Sequence, residues 1–176
     1  MSTWTLDTAH STIGFAVRHM MFAKVHGAFT KWEAKLDLDE TDVTKSKVTV
    51  TVDAASIDTR ETQRDQHLKS ADFLDVAKFP QITFESRMIV AEGAEKVQIT
   101  GPLTVHGVTQ DITLEIERLG SGKDPWGNQR LAFSGKTTIN RKEFGVVYNQ
   151  VLETGGVLVS EKIEVYLELQ AVAAKP

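Results

Sequence analysis

A period of two constrains this chain more than any other feature. Ile13, Phe15 and Val17 fall on one side of an alternation, with only Gly14 and Ala16 between them. Val25, Gly27 and Phe29 repeat the pattern after an apolar loop, Met20-Met21-Phe22. Successive side chains of a strand point to opposite faces, so the spacing predicts two strands that share an apolar face. A polar turn, Asp7-Thr8-Ala9-His10-Ser11, precedes them. Together these pieces read as a wall around an apolar interior.

The alternation recurs along the chain. After Phe29 the apolar parity shifts to Trp32, Ala34, Leu36 and Leu38, which predicts a β-bulge near Thr30-Lys31. Val48, Val50 and Val52 alternate with Thr49 and Thr51 in a further strand. Ile82, Phe84 and Met88 share one parity, and Val97, Ile99, Leu103 and Val105 another. His106-Gly107 then predicts a tight hairpin into Ile112, Leu114 and Ile116. Gly120 to Asn128 reads as a long loop carrying Trp126, and Leu131 to Ile139 as a strand broken at Gly135. Asn140 to Gly145 and Glu153-Thr154-Gly155-Gly156 read as turns. Ile163, Val165, Leu167 and Leu169 mark the longest alternation, at the end.

One section breaks this rhythm. Asp58 to Ser70 lacks alternation and holds good helix formers, with Asp58 as the expected cap and Glu61 as its capping-box partner. Leu68 is the single large apolar residue there, which predicts a surface helix. Phe73 and Leu74 follow as an apolar plug, and Phe79-Pro80 ends the section. The reading is an all-β chain with one short helical insertion around residues 59–75. A sandwich or an up-and-down barrel satisfies it. A barrel of about eight strands is either filled by side chains or holds one small ligand, and periodicity leaves both open.

Composition narrows the function. A chain of 176 residues reads as one domain, 1–176. Its apolar runs are too short to span a membrane as a helix, and no signal peptide opens it. The expected location is therefore cytoplasmic, or periplasmic if a leader has been removed. The net charge of −4 and the scattered basic residues argue against nucleic-acid binding. There is no cysteine, hence neither disulfide nor thiolate chemistry.

Catalytic patterns are sparse. Asp7, His10 and Ser11 are hydrolase residue types, but their spacing suits a turn better than a triad. His10, His19, His26, His67 and His106 lack metal-ligand spacing, so no metal is expected. No dinucleotide or phosphate-loop glycine pattern appears, so no cofactor is expected either. Arg64, beside Asp65, and Arg141 read either as surface ion pairs or as a cationic rim for a polar or anionic head group.

The motifs in order resemble the YceI-like lipid and polyisoprenoid-binding family from end to end. Carrying the resemblance are Trp4 with Asp7-x-x-His10-Ser11 and Phe15, Gly27-x-Phe29, Ser56-Ile57-Asp58-Thr59, and Arg64-Asp65-x-His67-Leu68 leading to Asp72-Phe73. Phe79-Pro80 with Phe84, Gly101-x-Leu103-Thr104-x-His106-Gly107-Val108-Thr109, Asn140-Arg141-x-x-Phe144-Gly145 and Leu152 to Gly156 complete it. Leu74 and Ser160 depart from the family's usual aromatic residue and glycine.

The resemblance implies a lipocalin-like, extended antiparallel β-barrel with a long apolar tunnel. It also implies a carrier of isoprenoid chains, isoprenoid quinones or fatty-acid derivatives rather than an enzyme. Parity and resemblance together predict a tunnel lined by Phe15, Val17, Phe29, Phe84, Leu103, Ile112, Leu114, Phe133, Phe144, Val165 and Leu167. Met20, Met21 and Phe22 are expected to close one end, with His10, Arg64 and Arg141 at the head-group rim. The long last strand suggests an edge for a homodimer. An enzyme acting on a lipid-like or quinone substrate through His10 and Arg64, and a filled-barrel stress or assembly protein, are the competing readings.

Overall fold

The computed structural model describes residues 1–153 and 156–175. Its strands are β1 (Ser2–Leu6), β2 (Thr12–His19), β3 (Ala23–Phe29), β4 (Trp32–Leu38), β5 (Lys47–Asp53) and β6 (Ile57–Asp58). After a helix, α1 (Thr62–Lys69), come β7 (Gln81–Glu85), β8 (Met88–Ala91), β9 (Lys96–Val105), β10 (Val108–Lys123), β11 (Gln129–Asn140) and β12 (Lys162–Ala173). The order β1-β4-β5-β7-β9-β10-β11-β12 returns to β1 through Trp4 opposite Ala173 and Leu6 opposite Ala171. This is a closed eight-stranded antiparallel barrel, and closure leaves its ring without an open edge.

The remaining strands lengthen one side. β12 carries β1 along its second half and β2 along its first, where Leu167 faces Ile13 and Val165 faces Phe15. β1 and β2 are thus one bent strand, interrupted by the 3-10 turn Thr8–His10 that Asp7 caps. β3 and β4 break at Thr30-Lys31, where the parity shift predicts a bulge. β5 and β6 break at a 3-10 turn, Ala54–Ser56. The second and third breaks are bonded to each other, Thr30 N–H donating to Ser56 O (3.2 Å) and Asp53 N–H to Lys31 O (2.9 Å). Neighbouring strands therefore turn a corner together, and β2, β3 and β6 continue the wall beyond it. α1 and the buried Phe73 follow directly from β6.

Several expectations change here. The cap of α1 is Glu61, which accepts from Gln63 N–H and Arg64 N–H, while Asp58 accepts from Arg60 N–H outside the helix. α1 lies on the surface as expected, with no buried residue, and turns its half-buried Leu68 to the cavity wall. β11 is unbroken at Gly135, whose missing side chain makes room for Ile116 and Leu167. The loop expected over Gly120 to Asn128 shrinks to a turn, because β10 and β11 pair as far as Lys123 opposite Gln129. Backbone bonds propagate a hairpin without an apolar face, so polar glycine-rich strands escape a hydrophobic pattern. Asp124 organises the turn by accepting from Trp126 N–H (3.0 Å) and Asn128 N–H (2.9 Å). β12 is paired on both sides and so offers no free edge to a second copy. Of the turn expected at Glu153-Thr154-Gly155-Gly156, Thr154 and Gly155 lie outside the described residues.

Candidate functional site

Inside the barrel lies a cavity of about 450 Å³, within the range of small-molecule sites. Its wall takes Phe15 and Val17 from β2, Phe29 from β3, Phe84 from β7 and Leu103 from β9. Ile112 and Leu114 of β10, Phe133 of β11, and Val165 and Leu167 of β12 complete the circuit, with Phe144 from the turn after β11. Leu103, Ile112, Leu114, Phe133 and Leu167 are only partly buried although they point inward. They pack on one side against the buried cluster of Phe84, Ile89, Ile99 and Ile116 and line the cavity on the other, so the barrel is not filled.

Two features keep it so. Gly27 stands opposite Phe15, and its missing side chain lets the Phe15 ring lie along the wall. The Phe15 and Phe29 rings then sit 5.7 Å apart, tilted by 46°. On the outer face, Tyr166 lies over Gly14 and stacks edge-on with His26. That bulk is spent outside the barrel.

The two ends differ. At one, Trp4, Leu131 and Ala171 bury one another, with Leu6, Leu36 and Leu38 packed around them. At the other, the polar side chains of the wall gather. α1 presents Arg64, His67 and Leu68 on one face, as i, i+3 and i+4 spacing dictates. Arg64 Nε donates to Thr59 Oγ1 and Arg64 Nη2 to Thr59 O, both at 2.7 Å. Thr59, itself buried, passes its hydroxyl proton toward Asp65 Oδ1 (2.5 Å). Arg64 and Asp65 thus meet through Thr59 and not as the surface pair that their adjacency suggests. The His67 ring packs edge-on against Phe73 (5.0 Å) and Tyr148 (5.1 Å), and its Nε2 meets Asp72 Oδ2 at 2.8 Å.

Arg141 is part of the same end. Its side chain is buried, with Nε donating to Ser160 O (2.9 Å), Nη1 to Val146 O (2.9 Å) and Nη2 to Val159 O (3.2 Å). Burial lowers its pKa from the ordinary guanidinium value, and the nearby charge of Glu161 opposes that shift. Asn149 also binds Val159, through its N–H and its carbonyl, and His19 pairs with Val159 across a β-bridge. Arg141 is therefore a strut that ties Val146 to Val159 and Ser160 rather than a free rim cation.

The remaining expected site residues lie elsewhere. Met20, Met21 and Phe22 are off the cavity wall, Phe22 being 82% exposed. The left-handed backbone at Met20 and Met21 makes them the tip of the β2–β3 hairpin, which directs their side chains outward. His10 is outside the barrel, where its Nδ1 meets Asp7 Oδ2 at 2.8 Å. The same Asp7 oxygen accepts from Arg130 Nη1 (2.7 Å), and Arg130 Nε donates to Asp124 (2.9 Å). Arg130 first, then His10, hold the Asp7 carboxyl down to about 2. Ser11 Oγ accepts from Gln170 N–H (2.9 Å), so Asp7, His10 and Ser11 make turn and strand contacts.

Wall residues that the sequence did not place at the site include His19, Thr59, His67 and Tyr148. His19 was within reach, since it continues the parity of Ile13, Phe15 and Val17. His67 and Leu68 follow from helical spacing to Arg64. Tyr148 sits in an irregular segment with no periodic signal.

A closed antiparallel barrel of eight strands around an apolar cavity, polar at one end, belongs to the class of small β-barrels built to enclose a ligand. Within that class the YceI-like domain family model matches residues 4–171, and the chain belongs to this family. It is 37% identical over 166 residues to Protein YceI of Salmonella newport, covering 94% of this chain and 83% of that protein. It is 39% identical to a UPF0312 protein of Vibrio parahaemolyticus over 81% of this chain and 77% of the relative. Among solved structures, Burkholderia cenocepacia BcnA superposes with a TM-score of 0.82 at 25% identity, covering 94% of this chain and 98% of that one. A polyisoprenoid binding domain from Saccharophagus degradans shares the fold, with a TM-score of 0.69 at 15% identity and coverage of 99% and 100%.

Proposed function

We propose that this protein binds and carries one long-chain apolar ligand, an isoprenoid, isoprenoid quinone or fatty-acid derivative, inside the barrel. One observation carries the reading: apolar side chains from around the barrel line a cavity of about 450 Å³ and stay only partly buried there. Enclosing that surface in a chain-like ligand removes it from water, at roughly 25 cal/mol per Å². The description of the Saccharophagus relative as polyisoprenoid-binding supports the same ligand class. The wall chemistry favours binding over catalysis. Arg64 is held by Thr59 and Arg141 by three carbonyls, and among the described residues no wall nucleophile is hydrogen-bonded to a histidine.

The test is organic extraction of the purified protein followed by mass spectrometry. A lipid recovered in about one copy per chain is the expected result. A protein that yields no lipid, and takes up none when offered isoprenoids, quinones and fatty acids, overturns the reading.

A further inference from the structure

Across the whole chain acidic residues outnumber basic ones, 24 to 20. The cavity wall reverses that balance. Its charged side chains are Arg64 and Arg141, with the exposed Arg18 at its margin near Glu164, and among the described residues it holds no aspartate or glutamate. His19 and His67 are the other titratable nitrogen groups on it. The nearby carboxylates are turned to other partners. Asp65 accepts from Thr59, Asp72 meets His67, and Glu161 meets Lys142 Nζ at 2.8 Å.

Among the described residues neither Arg64 nor Arg141 pairs directly with a carboxylate: Asp65 reaches Arg64 only through Thr59, and Glu161 acts on Arg141 without a hydrogen bond. Arg141 is buried, and its bonds go to neutral carbonyls. Arg64 uses Nε and one Nη2 proton on Thr59, while its Nη1 has no protein partner among the described residues. A cation beside an apolar, low-dielectric space projects a stronger field than one in water, because the walls focus it. These charges sit at one end of an otherwise greasy cavity. Such a site rewards a ligand with a hydrocarbon body and an oxyanion at one tip.

We propose that the cavity selects ligands with an acidic head, a carboxylate or a phosphate, seated against Arg64 with Arg141 behind it. This rests on the lipid-binding reading and names the head that goes with the tail. Arg64 suits the role because a guanidinium offers directed donors in a plane that matches an oxyanion. A neutral alcohol or a plain hydrocarbon leaves the arginines without a directly paired anion, whereas an oxyanion supplies one.

The experiment is calorimetric titration of the delipidated full-length protein with matched pairs: oleate against oleyl alcohol, and farnesyl phosphate against farnesol. The expected result is that one or both acids bind at least tenfold tighter than the matched alcohol, as a charged hydrogen bond provides. The pair with the larger ratio distinguishes a carboxylate site from a phosphate site. In Arg64→Gln the ratio falls to about one, and Arg64→Lys keeps part of it because the charge remains. Equal binding of acid and alcohol by the native protein overturns the acidic-head inference and leaves the lipid-binding reading standing. Binding of none of the four probes overturns both. An acid preference that survives in Arg64→Gln removes Arg64 from the head site.

Discussion

The two ends of the barrel are built from the same alternation and come out opposite. At the packed end a large indole, Trp4, lies against the small Ala171, and Leu131 fills the remaining space, so every side chain finds an apolar neighbour. At the polar end the inward row runs into His19, and the helix delivers Arg64 and His67 where a further apolar layer would otherwise sit. Packing holds the first end. Hydrogen bonds from side chains to backbone, above all those of Arg141, hold the second. The barrel keeps its cavity between a packed end, a second buried cluster at Phe84, Ile89, Ile99 and Ile116, and an end fixed by directed polar contacts.

Trp4→Ala strikes the packed end hardest. Removing a buried indole costs about 3–5 kcal/mol, which in a chain of this size lowers Tm by roughly 6–20 °C. A thermal scan showing a loss under about 1 kcal/mol breaks the view that this end bears the core. Arg141→Met strikes the other end and is next in size. It leaves the carbonyls of Val146, Val159 and Ser160 without their donor, at about 2–4 kcal/mol. Arg141→Lys rescues that loss only in part, because one ammonium cannot reproduce the spread of three guanidinium nitrogens. Full rescue by lysine, read in the same scan, shows that charge and not geometry fixes the segment.

Much of the apolar cavity wall was legible in the sequence, whereas the packed end and most of the polar end were not. Period-two spacing places Phe15, Val17, Leu103, Ile112, Leu114, Val165 and Leu167 on one face, because strand geometry leaves them no other choice. Parity across Thr30-Lys31 locates the corner for the same reason. Parity does not say whether an inward row meets its partners or faces a void, since that depends on the barrel's radius. Nor does it describe hairpin tips, and so Met20, Met21 and Phe22 look like a plug when left-handed backbone turns them out. His67 and Tyr148 meet only through tertiary contact, and Arg141 looks exposed because its acceptors lie in a segment near 146–160 without pattern.

Beside the packed end, Asp7 ties the turn before β2 to β11 through Arg130. Asp7→Asn is expected to cost about 1–2 kcal/mol near neutral pH, the worth of a charged hydrogen bond that is partly exposed. Its carboxyl is depressed to about 2 in the folded protein. The stabilisation is therefore complete above the unfolded value, near about pH 4, and is lost as pH falls through the folded value. Melting curves of the two proteins should converge between those limits. A gap that persists unchanged at about pH 2 shows that the aspartate acts through shape and not charge.

The smallest expected effect on stability comes from the middle of the barrel. Ile112 and Ile116 lie on the same face of β10, four residues apart. Ile116 belongs to the buried cluster with Phe84, Ile89 and Ile99 and packs into the space left by Gly135. Ile112 also packs against that cluster and, like Ile116, lines the cavity, but it is only partly buried. Enlarging a side chain in a filled core forces its neighbours aside and costs about 1–3 kcal/mol, so Ile116→Phe should show that loss. Ile112→Phe can turn its added carbons into the cavity on its less buried side, and should change stability by less than about 0.5 kcal/mol. It should also shorten the room for a chain, so the lipid recovered by extraction falls or shifts to shorter homologues. Measured side by side, equal destabilisation by the two substitutions means that the middle is filled in solution. A neutral Ile112→Phe with undiminished lipid content means instead that the ligand does not reach this part of the wall.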